Sequence, residues 1–482
     1  MDALPFEEFR RLDLNSEELG VPVRRLMERA GAALAAAVQE EAGRREGFIL
    51  LLCGKGNNGG DGFAAALRLH EAGRDVRVVL MEPRGKVRGD AARSFLDRLP
   101  PDRVEPWQRA KPSWRSAAAV ADCLLGSGVS GVPRPPYDAA IRFLQRFDGP
   151  VVSCDVPSGL GTALAVRPRR TVTFHAPKEG MDARNSGTIT VADIGIPKAA
   201  SDVGIGDLFL GYPRPGRESH KGQNGVVFVV GGGPYRGAPH YAGMGAYRTG
   251  ADLVLAWLPE RAAAVLESWG PDLLVHACNP GDRLVEEGAD AIAERLGRAG
   301  ALVVGPGLGT DSGTRRAVAR LLDAAAEADV PCVVDADGLD AVTPVWLARH
   351  GARTVLTPHR QEFADLSGWK PTDANVVRYA REHGVTVLRK GAVDLIADAK
   401  RSRRCRRGHP TMTVGGTGDV LAGVTGALLA KGAGAFEAAC AAAYLNGRAG
   451  ETAAALRSYG ATATDVHEAL PLVLRELEQA GA

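Results

Sequence analysis

Short apolar segments alternate with helical segments along this 482-residue chain, and the alternation constrains the fold more than any other feature. The apolar segments have the length of strands and carry few polar residues, which is typical of strands buried on both faces of a parallel sheet. Four lie at Phe48–Cys53, Val76–Met81, Ala119–Leu125 and Val151–Cys154, with helices predicted at Phe63–Ala72 and Tyr137–Phe147. The sequence therefore predicts an α/β fold built of βαβ units.

The alternation stops at one stretch and then starts again. Gly211–Arg217 is rich in proline and glycine, which is typical of a linker. Strand-like segments resume at Val226–Val230 and recur as far as Val385–Leu388, and the C-terminal part is predicted to be helical. A chain of this length also favours two or three domains over one. We expect two α/β domains, residues 1–211 and 217–482.

The N-terminal residues are charged and lack the apolar core of a signal peptide. Asn15 and Ser16 precede two glutamates, so a helix is predicted to begin there and to run through the alanine-rich segment to about Ala42. The net charge of +2 gives no reason to expect nucleic acid or a membrane surface as a partner. The seven cysteines include no C-x-x-C pair, so neither a disulfide framework nor a metal site is expected. A cytoplasmic protein is predicted.

A glycine-rich motif follows the first predicted strand. Asn57-Asn58-Gly59-Gly60-Asp61-Gly62 places small residues where a strand leads into a helix, so backbone N–H groups could face an anion. The alternative is a tight turn in which Asp61 caps the helix. Two later strand ends favour a site, because Asp122 and Ser158 lie at the ends of strands whose carboxyl ends meet at one sheet edge. Together with Asn58, these residues would offer an amide, a carboxylate and a hydroxyl oxygen, which carry one negative charge in total. Such a set of ligands suits a monovalent cation better than zinc or calcium.

A second motif of this kind lies near the C-terminus. Gly415-Gly416-Thr417-Gly418-Asp419 precedes the predicted helix Val420–Lys431. Amides at a helix N-terminus can stabilise a phosphoryl group during transfer, and Asp419 could deprotonate an acceptor hydroxyl. The alternative is an ordinary helix cap after a glycine turn.

The first domain resembles the NAD(P)H-hydrate epimerase family, on the strength of the Asn57–Gly62 motif and Asp155-Val156-Pro157-Ser158-Gly159-Leu160 in that order. The resemblance implies a Rossmann-like doubly wound sheet, a potassium ion at Asn58, Asp122 and Ser158, and Asp155 as a catalytic acid/base that also contacts substrate. Lys178 lies where the family often has a lysine near the site, although a solvated lysine is the alternative. Gly161 is a departure, since the family often has Asp there. Further substrate contacts are implied at Asn57, Asn58, Gly59, Gly60, Asp61, Gly126, Ser127, Gly128, Val129, Ser130, Gly131 and Val132.

The second domain resembles ribokinase-like kinases, and specifically their NAD(P)H-hydrate dehydratase branch. The motifs include Gly305–Gly309, Asp335–Leu339, Thr357-Pro358-His359 and Gly408–Asp419. The resemblance implies an α/β/α sandwich with Asp419 as the catalytic base. Asp335 and Asp337 are expected beside the site, with helix capping as the alternative for Asp337 and for His359. The resemblance also implies a role for Asn446, and His409 stands where the family usually has Asn. Substrate contacts are implied at Ala238, Gly307, His359 and Asp419, and nucleotide contacts at Lys390, Gly391, Ala392, Val393, Asp394 and Gly418.

Together the two resemblances imply a bifunctional enzyme, an isomerase joined to a carbon–oxygen lyase, that repairs hydrated NADH and NADPH (NADHX and NADPHX). The first domain would interconvert the R and S epimers, and the second would dehydrate the S form with magnesium and ADP, giving AMP and phosphate. The sequence does not decide between ADP and ATP. The alternative is a small-molecule alcohol kinase with a non-catalytic N-terminal binding domain. A homo-oligomer is expected, and the five arginines of Arg401–Arg407 predict a solvated loop or hairpin, or else a phosphate contact.

Overall fold

The computed structural model describes residues 3–108, 110–126, 128 and 131–479. The chain divides into two compact units, residues 1–200 and 201–482. The division precedes the predicted linker, because the helix Ile205–Gly211 packs against the helix Ala435–Arg457 of the second unit. Residues 201–211 therefore group with the second unit, whereas the predicted boundary placed them in the first domain.

The first unit alternates strands and helices from Ile49 onward. Its elements are α1 (Phe6–Glu18), α2 (Val23–Ala42), β1 (Ile49–Cys53), α3 (Asn57–Glu71), β2 (Val76–Leu80), α4 (Asp90–Arg98), β3 (Val104–Pro106), β4 (Ala119–Cys123), α5 (Tyr137–Gln145), β5 (Val151–Cys154), β6 (Arg170–Phe174), α6 (Ala183–Ser186) and β7 (Thr188–Ala192).

Within the described residues, the seven strands of the first unit form one parallel sheet in the order β3-β2-β1-β4-β5-β6-β7. Alternate residues of β1 enter different cores: Ile49 and Leu51 pack with α2 and α3, whereas Leu50 and Leu52 pack with Trp114 and α5. Burial on both faces explains why β1 is apolar throughout. The predicted Rossmann-like doubly wound sheet is confirmed.

The predicted start of the N-terminal helix is wrong. Asn15 and Ser16 lie inside α1, and the break comes at Gly20, whose φ is 82°. The Asn15 side chain donates to the carbonyl of Ala200 at 3.0 Å, and the Ser16 hydroxyl donates to the carbonyl of Leu12 at 2.6 Å. Both polar groups have tertiary or intrahelical partners, so neither caps a helix.

The second unit repeats the alternation and ends in helices. Its elements are α7 (Ile205–Gly211), β8 (Val226–Val230), α8 (Ala238–Arg248), β9 (Leu253–Pro259), α9 (Glu260–Glu267), β10 (Leu274–Asn279), α10 (Glu286–Ala293), β11 (Ala301–Val304), α11 (Ser312–Glu327), β12 (Cys332–Val334), α12 (Pro344–His350), β13 (Thr354–Leu356), α13 (Arg360–Ser367), α14 (Asp373–His383), β14 (Thr386–Arg389), β15 (Asp394–Ala397), β16 (Ser402–Cys405), α15 (Thr417–Ala430), α16 (Ala435–Arg457) and α17 (Ala463–Gln479).

Nine strands of the described second unit form one sheet in the order β10-β9-β8-β11-β12-β13-β14-β15-β16. The sheet is parallel from β10 to β14, and β15 and β16 pair antiparallel at the edge. The predicted α/β sandwich is confirmed. None of the helices in the described ranges is long and apolar enough to cross a membrane.

Candidate active sites

The first glycine-rich motif forms the start of α3 rather than a loop before it. The helix begins at Asn57 after the N-cap Gly56, and Asp61 lies in its second turn, so the capping alternative for Asp61 is wrong. A Cβ at Gly59 would overlap the backbone carbonyl of Gly54, and one at Gly62 would lie 2.7 Å from the Cys53 sulfur. The glycines therefore allow the helix N-terminus to lie directly against the ends of β1 and β4.

Asp122 and Ser158 are in contact beneath this helix. The Asp122 carboxylate is fully buried and accepts hydrogen bonds from the Ser158 hydroxyl at 2.6 Å, the Ser158 backbone N–H at 2.9 Å and the Ser153 hydroxyl at 2.8 Å. Burial raises the pKa of Asp122, and these hydrogen bonds oppose the rise. The structure thus brings together two of the three residues predicted to hold potassium.

Asn58, the third of these residues, is 7% exposed, and both polar atoms of its side chain lack a hydrogen-bond partner. It lies beside Gly126, where an added Cβ would be 3.4 Å from the Asn58 Cβ. Gly126 follows Leu125, whose N–H donates to the Ser158 hydroxyl at 2.9 Å. A buried amide without a partner costs free energy, so this donor set fits a bound cation that would accept the Asn58 oxygen as a ligand.

Asp155 follows β5 in a left-handed conformation, with φ of 62°. The ammonium of Lys178 forms an ion pair with its carboxylate and also donates to the Thr173 hydroxyl and the Phe174 carbonyl, each at 3.0 Å. Lys178 is 1% exposed, so the solvated alternative for this lysine is wrong. A non-glycine residue in this region is strained, and such strain is often found at functional positions.

Two further carboxyl groups interact electrostatically with this ion pair. Burial raises the pKa of Asp61 well above its usual value, and the charge of Asp155 raises it further. Burial likewise raises the pKa of Asp13, on α1, to about 7; Asp155 adds to the rise and Lys178 opposes it. The Asp61 carboxylate also lies 4.0 Å from the Cys154 sulfur.

The predicted second substrate loop is only partly described. Gly126 and Gly128 border the end of β4, Gly131 has φ of 83°, and Val132 is 59% exposed. Ser127, Val129 and Ser130 lie outside the described residues. Asn57 is exposed at the start of α3, whereas Gly59 and Gly60 are buried.

In the second unit, the glycine-rich motif also forms a helix start. Gly416 is the N-cap of α15, with φ of 99°, and a Cβ there would lie 2.7 Å from the Tyr241 ring. The Thr417 hydroxyl donates to the Met412 carbonyl at 2.7 Å, which holds the preceding segment against the helix. Asp419 lies in the first turn of α15, so the alternative that it is the helix N-cap is wrong.

Asp419 belongs to a group of charged side chains centred on Lys390. The Lys390 ammonium contacts the Asp335 carboxylate at 2.7 Å and the Glu362 carboxylate at 3.7 Å. Burial alone would lower the pKa of Lys390, but the charges of Asp335 and Glu362 raise it. A Cβ at Gly418 would lie 3.5 Å from this ammonium, so Lys390 reaches the N-terminus of α15.

Among the residues that the structure describes, no ammonium or guanidinium forms an ion pair with Asp419. Burial raises its pKa to about 8, the charge of Asp335 adds to the rise, and Lys390 opposes it. Asp335 is 1% exposed and also accepts a hydrogen bond from the Thr357 hydroxyl at 2.7 Å. Asp337 accepts the Gly309 N–H at 2.8 Å and caps no helix, so that alternative is wrong.

The residues predicted to contact the dehydratase substrate fall into two groups. Ala238 begins α8, and a Cβ at Gly307 would lie 3.1 Å from its Cβ, so these two residues are neighbours. His359 is the N-cap of α13: its Nδ1 accepts the Glu362 N–H at 2.9 Å, and its own N–H donates to the Glu362 carboxylate at 2.6 Å. The capping alternative for His359 is confirmed, and through Glu362 the residue also borders Lys390.

The segment predicted to contact the nucleotide begins at Lys390 and ends at Asp394. Gly391 N–H donates to the Asp394 carboxylate at 2.9 Å, which closes the turn through Ala392 and Val393. Burial raises the pKa of Asp394 to about 6. Asn446, 5% exposed, has its amide nitrogen 3.5 Å from the Thr417 carbonyl and its oxygen without a partner.

The arginine-rich segment is a hairpin strand, β16, as one alternative predicted. The arginines of the segment form ion pairs with carboxylates of the second unit, and these carboxylates balance their positive charge. The pairs are Arg401 with Asp398 and Glu437, Arg403 with Asp207, Arg404 with Asp373, Arg406 with Asp202 and Arg407 with Glu451.

Two family models match the chain. One, described as NAD(P)H-hydrate dehydratase, matches residues 226–472, and one described as YjeF-related protein N-terminus matches residues 23–180. The bifunctional NAD(P)H-hydrate repair enzyme Nnr of Pyrobaculum aerophilum is 39% identical over 503 residues, covering 98% of this chain and 98% of its own. The protein of the same name from Methanothermobacter thermautotrophicus is 38% identical over 495 residues, covering 96% of this chain and 93% of its own.

The chain belongs to the bifunctional NAD(P)H-hydrate repair enzyme family. A ribokinase-like superfamily protein from Enterococcus faecalis V583 matches 57% of this chain and 95% of its own, with a TM-score of 0.50 and 23% identity. That likeness concerns the fold alone and agrees with the sandwich of the second unit. The family and the fold predicted from the sequence are confirmed.

Some residues at the two sites were not indicated by the sequence motifs of the repair enzyme family. Phe9 and Asp13 come from α1, which lies outside the segment matched by the family model. Glu362, on α13, reaches Lys390. Phe9 and Glu362 contact the lysines of the two sites across the fold, and a contact of that kind leaves no motif in the sequence. Among the described residues, no three His, Cys, Asp or Glu side chains are grouped to hold a metal ion.

Proposed function

We propose that this chain repairs NADHX and NADPHX, with an epimerase in the first unit and a dehydratase in the second. The observation that carries the proposal is that one chain of this family contains both an Asp155–Lys178 pair and an Asp419–Lys390–Asp335 group, each at the carboxyl edge of a parallel sheet. Family membership over nearly the full length favours this activity over an alcohol kinase with a non-catalytic first domain.

In the epimerase, the substrate would lie along the N-terminus of α3 and the loop that follows β4. Asn57, Asn58, Gly59, Gly60, Asp61 and residues 126–132 are the proposed contacts. Potassium would be held by Asn58, Asp122 and Ser158, where it would supply positive charge for the substrate's pyrophosphate; the partnerless Asn58 amide supports this assignment. Asp155 would exchange protons with the ring hydroxyl.

In the dehydratase, Asp419 would take the proton of the hydroxyl on the hydrated nicotinamide ring as its oxygen attacks the terminal phosphate of the nucleotide. The ring nitrogen would then expel phosphate by breaking the carbon–oxygen bond. Loss of a proton from the neighbouring ring carbon would restore the double bond of NADH or NADPH. Phosphate leaves far more readily than hydroxide, which explains why a kinase-like site would serve a lyase. Ala238, Gly307 and His359 are the remaining proposed substrate contacts.

We propose ADP as the phosphoryl donor, on the resemblance to fused family members, with AMP and phosphate as products. Lys390–Asp394 and Gly418 would contact the nucleotide, and the Lys390 ammonium beside the α15 N-terminus supports a phosphate position there. Magnesium would neutralise phosphate charge, since this ion is commonly held by one or two carboxylates together with phosphates. We assign this ion to two carboxylates, those of Asp337 and of Glu362, which lies 3.7 Å from the Lys390 ammonium.

We further propose that the protein acts in the cytoplasm as a homo-oligomer, with the two hydrated cofactors and ADP as its small-molecule partners. Light scattering of the purified chain tests the oligomeric state.

The test of function uses chemically hydrated NADPH containing both epimers, with potassium, magnesium and either ADP or ATP. Recovery of reduced-nicotinamide absorbance together with free phosphate is expected for both epimers with ADP. Replacing potassium by sodium should slow consumption of the R epimer while leaving that of the S epimer unchanged. Nucleotide consumption without recovery of reduced cofactor would instead indicate a kinase.

A further inference from the structure

The N-terminal segment of the chain is built into the epimerase site, although it precedes the segment matched by the family model. Leu4 pairs with the backbone on both sides of Lys178: its N–H donates to the Pro177 carbonyl at 2.9 Å, and its carbonyl accepts the Glu179 N–H at 3.0 Å. The segment that carries Lys178 is therefore held by the residues that lead into α1.

Helix α1 then supplies one wall around the Lys178 ammonium. The ring of Phe9 lies 4.1 Å from this ammonium, within the range of a cation–π interaction. The other sides are formed by the Thr173 hydroxyl and the Phe174 carbonyl. With these groups in place, the Lys178 ammonium forms its ion pair with the Asp155 carboxylate.

Asp13 lies one helical turn after Phe9, so the two residues share a face of α1. Two other residues of α1, Arg11 and Asn15, fix the rotation of the helix about its axis. Their side chains both donate to the Ala200 carbonyl, at 3.1 and 3.0 Å. Arg11 is 2% exposed, so this attachment is buried. The packing therefore directs Asp13 toward the Asp155–Lys178 pair.

The carboxyl groups in this site have different environments. Asp155 has the Lys178 ammonium in contact with its carboxylate. Asp13 is affected by the charges of Asp155, Lys178 and Glu17, and burial and Asp155 together raise its pKa to about 7. Asp61, whose pKa is also raised, is close enough to interact with both. A carboxyl group with a raised pKa beside an ion-paired carboxylate is an arrangement that general acids in active sites often have.

We propose that Asp13 is the general acid of the epimerase site and acts opposite Asp155 as the base, which makes α1 part of the active site. The proposal rests on the epimerase function proposed above. Asp13 gives its proton to the ring hydroxyl, the carbon–oxygen bond breaks, water leaves, and the ring nitrogen lone pair forms a carbon–nitrogen double bond. Water adds to the other face of that carbon and loses a proton to Asp155. Transfer of this proton through water to Asp13 restores the starting state.

The experiment follows conversion of purified R-NADPHX to the S form by chromatography, with the full-length chain and potassium but no nucleotide. Asp13→Asn is expected to lower kcat by about 10²- to 10⁴-fold, the usual contribution of a positioned acid. The wild-type kcat/KM should fall as pH rises through the pKa of Asp13, near 7, because the acid must be protonated. This alkaline decline should be absent in the variant. Glu7→Gln, an exposed change on the same helix, should match the wild type.

Circular dichroism and the melting temperature of the first unit show whether this variant remains folded, and dehydration of the S epimer with ADP shows that the second unit is unaffected. An Asp13→Asn variant with a lower melting temperature but a wild-type pH profile would make Asp13 structural and overturn the proposal, as would an unchanged kcat. If the variant does not fold, Asp13→Glu decides, because it should retain activity with a displaced alkaline decline. A wild-type chain that does not convert the R epimer would overturn the epimerase function itself.

Discussion

Two carboxyl groups a short distance apart in the second unit have opposite environments. Asp335 is in contact with Lys390 and accepts the Thr357 hydroxyl, whereas burial raises the pKa of Asp419 to about 8. The first arrangement fixes the position of Lys390, and the second produces a carboxyl group that can exchange a proton near neutral pH. We therefore assign Asp335 to positioning and Asp419 to proton transfer.

The first prediction concerns the pH dependence of dehydration. A base must be ionised to act, so kcat/KM for the S epimer should rise with pH until it levels above about 8. Asp419→Asn should lower kcat by at least about 10²-fold at every pH, while Asp340→Asn, an exposed change next to the same site, should have little effect. Initial rates of absorbance recovery measure both. A pH profile without the rise would refute the assignment of Asp419 as base.

The second prediction separates the two carboxylates. Asp335→Asn removes a negative charge that raises the pKa of Asp419 and leaves the Lys390 ammonium without its closest partner. Both changes lower the pKa of Asp419, so the acid limb of the kcat/KM profile should move to lower pH. KM for ADP should rise as Lys390 loses its fixed position. A limb that stays in place or moves to higher pH would contradict this account.

Single residues also show what sequence can and cannot reveal. Recognisable motifs at strand ends contain Asp122, Ser158 and Asp335, and a motif at a helix start contains Asp419. The structure places the first two in contact. Asp13 has no such motif around it. Its relation to the site exists only because α1 is attached through residues far along the chain, such as Ala200.

At the scale of elements, the position of α3 depends on glycines that the sequence could not fully explain. A loop and the first turns of a helix both accept Asn57–Gly62, so the motif alone placed the helix start too late, at Phe63. The structure adds the reason for the glycines, which is the close approach of α3 to the strand ends. Strand positions were better predicted, because burial on both faces leaves a continuous apolar segment in the sequence.

The third prediction tests this close approach. Gly59→Ala adds a methyl group where the Gly54 carbonyl already lies, so the free energy of unfolding of the first unit should fall by about 1–3 kcal/mol. Gly56→Ala is the matched control: the N-cap has no atom within 4 Å of the added methyl, and its cost should be under about 1 kcal/mol. Urea unfolding followed by circular dichroism measures both, with the two units fitted as separate transitions. Equal costs for the two variants would rule out the steric explanation.

At the scale of the whole molecule, two units with separate sheets carry the two halves of one repair reaction. The catalytic groups assigned to each site come from a single unit: Asp155, Lys178 and Asp13 precede residue 200, and Asp419, Lys390 and Asp335 follow it. Loss of one catalytic carboxylate should leave the other reaction intact.

The fourth prediction follows from this separation and uses two inactive variants together. With a mixture of epimers and ADP, Asp155→Asn should recover only the S fraction at the wild-type rate, and Asp419→Asn should recover none. Mixing the two variants should restore recovery of the R fraction, because the S epimer made by an intact epimerase can diffuse to an intact dehydratase on another chain. The rate of this second phase should increase with the concentration of the Asp419→Asn variant. A mixture that recovers no more than Asp155→Asn alone would mean that the epimer must pass between the two sites of one molecule.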